Sequence, residues 1–224
     1  MKEIVISNAR IVTPKECFIG SCAIEDGVIT DVAHKNYEAC DFDLHENWLL
    51  PGCIDIHTDQ LELEINPRPK TEFSLSSALH ALDTRAISNG VTTVLSCLRF
   101  TKDNEKHNWM VDNIEEKSLQ FEKLCGGTMA RHYIQARWDT NFSETAGLLE
   151  HIRSLKLLRL LVYNENIPGQ RQFRDLCSQI RSFSVRNNLS LEEGRRIIEE
   201  KISRNSKIDN RRDVCSSLNG RIVI

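Results

Sequence analysis

"LLPGCIDIHTDQLELEINPRP", residues 49–69, decides how the rest of the chain is read. Pro51-Gly52 breaks the preceding segment, and a short, largely apolar run follows from Cys53 to Ile56. The run ends on His57, and Asp59 comes two residues later. A strand that carries His and Asp to its own end supplies half of a metal site. The remaining donors must come from elsewhere, because a bound zinc-like ion takes about three or four protein ligands.

Upstream, residues 1–47 read as short strands. "EIVISNARIVT" is rich in β-branched residues, and "FIGSCAIEDGVITDVA" is two strands joined at Asp26-Gly27, a pair suited to the positive φ of a hairpin turn. This segment is expected to form a small β-sandwich-like unit over 1–47, with a second domain over 48–224.

Downstream, the rhythm becomes strand, helix, strand. The predicted strands are 53–57, 91–98, 131–137 and 158–164. The predicted helices are about 74–88, 107–124, 143–155, 170–186, 190–204 and 208–218. Leu75, Leu79, Leu82 and Ile87 give the first helix its apolar stripe, and Gly90 stops it. Ser190 and Glu193 form a capping box ahead of the helix at 190–204. Strands alternating with helices imply βαβ units and a parallel sheet, closed as a barrel or left open and doubly wound. No Gly-x-Gly-x-x-Gly follows any strand, so a dinucleotide fold has no support. The expected fold is therefore α/β, an incomplete (β/α)8-type barrel preceded by the small β unit. The segment from 48 onward is shorter than the roughly 250 residues of a complete barrel. In such a fold the site lies at the carboxyl ends of the strands, where His57, Asp59, Arg99, Arg137, Asp139 and Glu165 fall.

The 224 residues are 40% hydrophobic and 27% charged, with net charge −3, which gives no bulk attraction to nucleic acid. No apolar run reaches the roughly 18 residues of a membrane span, and the N-terminus lacks a signal-peptide core. A cytoplasmic protein is expected. None of the eight cysteines forms a Cys-x-x-Cys pair, so they read as reduced, buried small hydrophobes.

The small β unit, "LLPGCIDIHTD" and the βα repeats together resemble the amidohydrolase superfamily. Within it, "HTDQLE" followed by "NPRP", "GVTTV" at 90–94 and "PGQRQFRDL" at 168–176 resemble the α-D-ribose 1-methylphosphonate 5-triphosphate diphosphatase family of the phosphonate carbon–phosphorus lyase pathway. Its pattern includes HTDNLE…PRP, H-x-x-H-x-R and HTPGQRQFRDL. The resemblance runs in order along essentially the whole chain. It implies a hydrolase that releases pyrophosphate from a phosphorylated ribose, using divalent metal such as zinc. It implies His57 and Asp59 as metal ligands, and Arg68, Arg137, Arg171 and Arg174 as phosphate-binding groups. Two expected ligand positions depart from the pattern: "HYIQAR" has Gln135 for the second His, and "NENIPGQ" has Asn166 for a His. Neutral amides are poor ligands for zinc-like ions. No catalytic residue is assigned.

Each site residue also has a plain alternative. His57 could simply bond a nearby Asp, and His132 reads as a packed or hydrogen-bonded strand histidine. Glu62 and Glu64 fit either bridging carboxylates or a solvated strand edge, and Arg137 could pair with Asp139. Two functional classes follow: a divergent diphosphatase, or a truncated, catalytically inactive paralogue or gene fragment acting at most as a binding module. An unfinished barrel would expose a strand edge, to be covered by a homodimer or by a complementing C-terminal polypeptide.

Overall fold

The computed structural model describes residues 3–68, 71–100, 113–139, 148–164, 175–205 and 222–223. The chain divides into two compact units, Met1–Cys53 and Ile54–Ile224.

The first unit is one sheet. Strands β1 (Glu3–Val12), β2 (Cys17–Glu25) and β3 (Val28–Ala33) run antiparallel to their neighbours. β4 (Phe42–Asp43) and β5 (Trp48–Leu49) both add to β1 in parallel, at different heights. The Asp26-Gly27 hairpin forms as the sequence predicts. Glu25 pairs with Val28, and the two turn residues take φ of 49° and 81°. Ala9, Ile11 and Cys22 make its small core, with Ile6, Phe18, Ile24, Leu44 and Leu49 packed around them.

In the second unit, β6 (Cys53–Thr58) runs into a short helix, α1 (Gln60–Ile65). Then follow α2 (Leu75–Ser88), β7 (Val91–Phe100), α3 (Ile114–Cys125), β8 (Arg131–Asp139), α4 (Leu148–Ser154) and β9 (Leu158–Asn164). Helices α5 (Leu176–Asn187) and α6 (Leu191–Asn205) and the two-residue strand β10 (Ile222–Val223) complete the described elements. α2 starts where Ser74 Oγ accepts the Ser77 N–H, and Gly90 beyond it takes φ +74°. The capping box at α6 is made: Glu193 N–H donates to Ser190 Oγ at 3.2 Å, and Ser190 N–H to Glu193 Oε2 at 2.9 Å. α1 was not foreseen. Its six residues are too few to show a helical period, and they read as a strand edge.

The sheet order is β10-β9-β8-β7-β6, with β7/β8, β8/β9 and β9/β10 parallel. Spatial order follows chain order. A doubly wound sheet reverses its order at a switch point; no reversal occurs among the described strands. Right-handed crossovers then put successive helices on the same face. Packing agrees, because Val94, Leu98, Phe100, Ile134, Ala136 and Leu161 form one core with Leu79, Leu82, Phe121 and Ile152 of the helices. Phe100 and Phe121 are wholly buried, each worth about 1.5–3 kcal/mol of transfer free energy. Since alternate strand residues face opposite ways, Leu95, Cys97, Arg99, Tyr133, Gln135 and Arg137 lie on the other face.

No helix among the described residues is long and apolar enough to cross a membrane. The expectation that the cysteines are mostly buried is overturned. Cys17, Cys40, Cys53 and Cys177 are exposed, and only Cys22 and Cys97 of the described ones are fully buried. Cys17 and Cys53 open strands and Cys177 lies in the first turn of α5, each with a side in water, while Cys40 lies in the loop before β4.

Candidate metal centre

The ends of β6, β7 and β8 and the start of α1 bring residues from distant parts of the chain together on the sheet face opposite the α2–α4 core. His57 is the penultimate residue of β6, and its backbone N–H is held by Asp55 Oδ1 at 3.1 Å. Asp59 follows at the start of α1. Cys97 on β7 lies directly beside Gln135 on β8, and Arg99 beside Arg137. The donor atoms of His57, Asp59 and Cys97 all lie within 4.8 Å of one another. Donors around a tetrahedral zinc ion stand roughly 3.3–3.8 Å apart, given bond lengths near 2.0–2.3 Å. A small contraction would therefore seat an ion between them.

The surroundings favour that use. His57 Nδ1 is 2.7 Å from Gln135 Oε1, so the ring proton sits on Nδ1 and Nε2 keeps its lone pair. Asp59 Oδ1 is buried with no hydrogen-bond partner; Arg137 Nη2 is 3.2 Å away but not aligned to donate. That oxygen is ion-paired with Arg137 and makes no hydrogen bond, so it keeps lone pairs for a cation that would share it with the guanidinium. The Cys97 thiol is 1% exposed. Its titration opposes that use: burial pushes the thiol up to about 12, Asp59 and Glu62 add to the rise, Arg137 opposes it, and a bound ion would have to displace the proton.

Glu62 sits behind the site on α1, 5% exposed, and accepts the Arg99 N–H at 2.9 Å. Burial raises its carboxyl above the usual range, against the pull of Arg99 and Arg137. Glu64 pairs with Arg85 of α2 at 2.7 Å. The strand-edge reading of these two glutamates is thus replaced by a helix that packs under the site. Arg99 and Arg137 are like charges directly opposite across two strands, a costly pairing unless countered. Asp59 and Glu62 counter it, yet the Nε atoms of both arginines are buried without a partner.

Of the sequence-predicted site residues, His57, Asp59, Gln135 and Arg137 come together. Arg137 pairs with Asp59. Arg68 stands on the exposed chain beyond α1, its Nε donating to Thr71 Oγ1 at 3.1 Å. Arg171, Arg174, Asn166 and Glu165 lie outside the described residues, as does the Asp139 side chain. His132 faces the helices, buried, with Nε2 3.0 Å from Asp83 Oδ1. The expectation of a packed, hydrogen-bonded strand histidine describes it well. Cys97 was missed as a donor because "VLSCL" reads as core. Strand parity was the available signal: Cys97 shares a face with Arg99 two residues on.

No family model matches the chain. The alpha-D-ribose 1-methylphosphonate 5-triphosphate diphosphatase of Escherichia coli (strain K12) is 29% identical to it over 172 residues, which is 75% of this chain and 45% of that protein. The chain thus spans less than half the length of this curated relative. The two proteins are distantly related, and the His/Asp/Cys group is placed to hold a metal ion.

Proposed function

We propose that the chain is a metal-dependent hydrolase of phosphoanhydrides, acting on a phosphorylated ribose and releasing pyrophosphate. One observation carries the reading. A His57/Asp59/Cys97 donor set and two guanidinium groups with unpartnered Nε atoms share one sheet face at strand ends. The relationship to a ribose-triphosphate diphosphatase supports the substrate class. In this reading the sheet is the first part of a (β/α)8-type barrel, and its site lies where such barrels place theirs.

A bound divalent ion would supply charge neutralisation at the phosphoryl oxygens and a more acidic water. The chain's own residues bind and orient. Arg99 and Arg137 offer planar forks to phosphate oxygens, and a guanidinium matches two oxygens at once. Arg68, Arg171 and Arg174 would hold the outer phosphates. Glu62 fixes α1 against β7 through the Arg99 N–H, which keeps Asp59 over the sheet. Four exposed thiols among the described residues suit a reducing, cytoplasmic setting.

The test is pyrophosphate release from the ribose triphosphate by purified protein, with and without added zinc or manganese. Metal-dependent release that drops at least about 100-fold in His57→Ala is the expected result. A second reading, binding of the phosphorylated sugar without turnover, has its own observation. Gln135 caps His57 through a neutral amide where the resemblance would have an imidazole. Ligand-induced thermal stabilisation with no pyrophosphate under any metal would decide for it.

A further inference from the structure

The resemblance accounts for His57 and Asp59 but not for Cys97. Position 97 is on β7, between the two strands that carry His57 and Gln135, and it points its sulfur at the same place. Gln135 does not replace a lost ligand. Its carbonyl oxygen is already taken by His57 Nδ1 at 2.7 Å, so it acts on the ring rather than on an ion. The next donor within reach is Cys97 Sγ.

We infer that His57, Asp59 and Cys97 form a mononuclear site selective for a thiophilic divalent cation such as zinc, with the Cys97 thiolate as a direct ligand. The inference deepens the proposed function and rests on its metal-dependent reading. Four features support it together. Three protein donors with a fourth position open is the ligand count of a catalytic zinc. One imidazole, one carboxylate and one thiolate select zinc-like ions over magnesium or calcium, which prefer oxygen alone. Asp59 Oδ1 is a buried acceptor that faces the Arg137 guanidinium at 3.2 Å and lies beside the Cys97 sulfur, so an ion would take the place between carboxylate and thiol. His57 and Asp59 are solvent-accessible while Cys97 is buried, so an ion can enter from outside and meet the sulfur last. On binding, the sulfur–metal bond forms as the thiol proton passes to solvent.

Cobalt(II) is the probe, because a thiolate ligand gives it a near-ultraviolet sulfur-to-metal charge-transfer band that imidazole and carboxylate do not. Metal-stripped full-length protein titrated with cobalt(II) should develop this band and saturate at one equivalent. Zinc should displace cobalt, and a large excess of magnesium should not. Cys97→Ser retains every other cysteine, so the exposed thiols cannot account for a loss. In that variant the band should vanish and affinity should fall by at least about 100-fold, more than the 10–100-fold that losing an outer partner costs. Cys97→Ala, judged folded by circular dichroism, should behave alike. A bound ion without the band, an unchanged band in Cys97→Ser, or magnesium binding as tightly as zinc would each overturn the inference. The two proposals fail separately. A thiolate band without pyrophosphate release refutes the hydrolase and upholds this site, whereas release without the band does the reverse.

Discussion

Two histidines make short contacts on opposite faces of the same sheet, and they differ in what surrounds them. His132, on the helix face, meets Asp83, which also accepts the N–H groups of Met129 and Ala130 at 2.9 Å each. Asp83 and His132 are each 3% exposed, and the carboxylate is saturated with donors. His57, on the other face, is exposed and meets a neutral amide; each ring keeps a second nitrogen without a protein partner among the described residues, but that of His132 is buried while the His57 side chain is open to solvent. A saturated buried anion joins elements; an accessible histidine whose partner only orients it is available for a ligand. Since His132 and Gln135 are three apart on one strand, they must face opposite ways.

The largest effect should come from breaking the closed pair. Asp83→Ala leaves two backbone N–H groups and an imidazole buried without acceptors. It should cost on the order of 3–5 kcal/mol in urea unfolding of the second unit. A loss below about 1 kcal/mol would show that water reaches the pocket. Gln135→Leu breaks the open pair instead. Zinc affinity should fall about 10–100-fold as the His57 ring loses its fixed tautomer. Stability should change by less than about 1 kcal/mol, because His57 is already in contact with water. A stability loss matching that of Asp83→Ala would erase the distinction between the two faces.

The two buried carboxylates sharpen the comparison through pH. Burial pushes Asp83 up, but the Met129 and Ala130 N–H groups and His132 outweigh it, and its carboxyl is held below the ordinary value of 3.8. Its stabilisation is complete above that value and is lost as pH falls through the lower folded one. Glu62 has one backbone donor, and burial wins, raising it above the ordinary 4.5. Its contribution is complete below that value and is lost as pH rises through the folded one. Urea midpoints measured against pH should therefore fall on both sides of a maximum between the ordinary values of 3.8 and 4.5. Glu62→Gln should flatten the alkaline side, and Asp83→Asn the acid side. Unchanged slopes in both would count against the assigned shifts.

The smallest expected effect concerns β6, at the edge of the described sheet. Ile54 and Ile56 on the face opposite His57 are 61% and 58% exposed. Exposed apolar residues on an edge strand invite association. Changing both to Ser should reduce self-association in sedimentation velocity and shift stability by no more than about 0.5 kcal/mol. A wild-type chain that is monomeric at high concentration would remove this expectation.

How far the fold was legible depended on periodicity. α2, β7, β8, β9 and α6 fall within a few residues of their predicted bounds, because each carries a full period of apolar residues or a cap of its own. α1 escaped for lack of length. The site was legible where its residues are adjacent in sequence, as His57 and Asp59 are. Asp83 gave no signal, since its partners stand 46 to 49 residues away.

Local sterics and side-chain period act over a few residues, and they set the alternation of strands and helices, the Asp26-Gly27 hairpin and the donor pair at the end of β6. Folding brought Cys97 into the donor set, Gln135 to His57 and His132 to Asp83. Those assignments depend on strand order and register, which bring together atoms up to 78 residues apart in the chain.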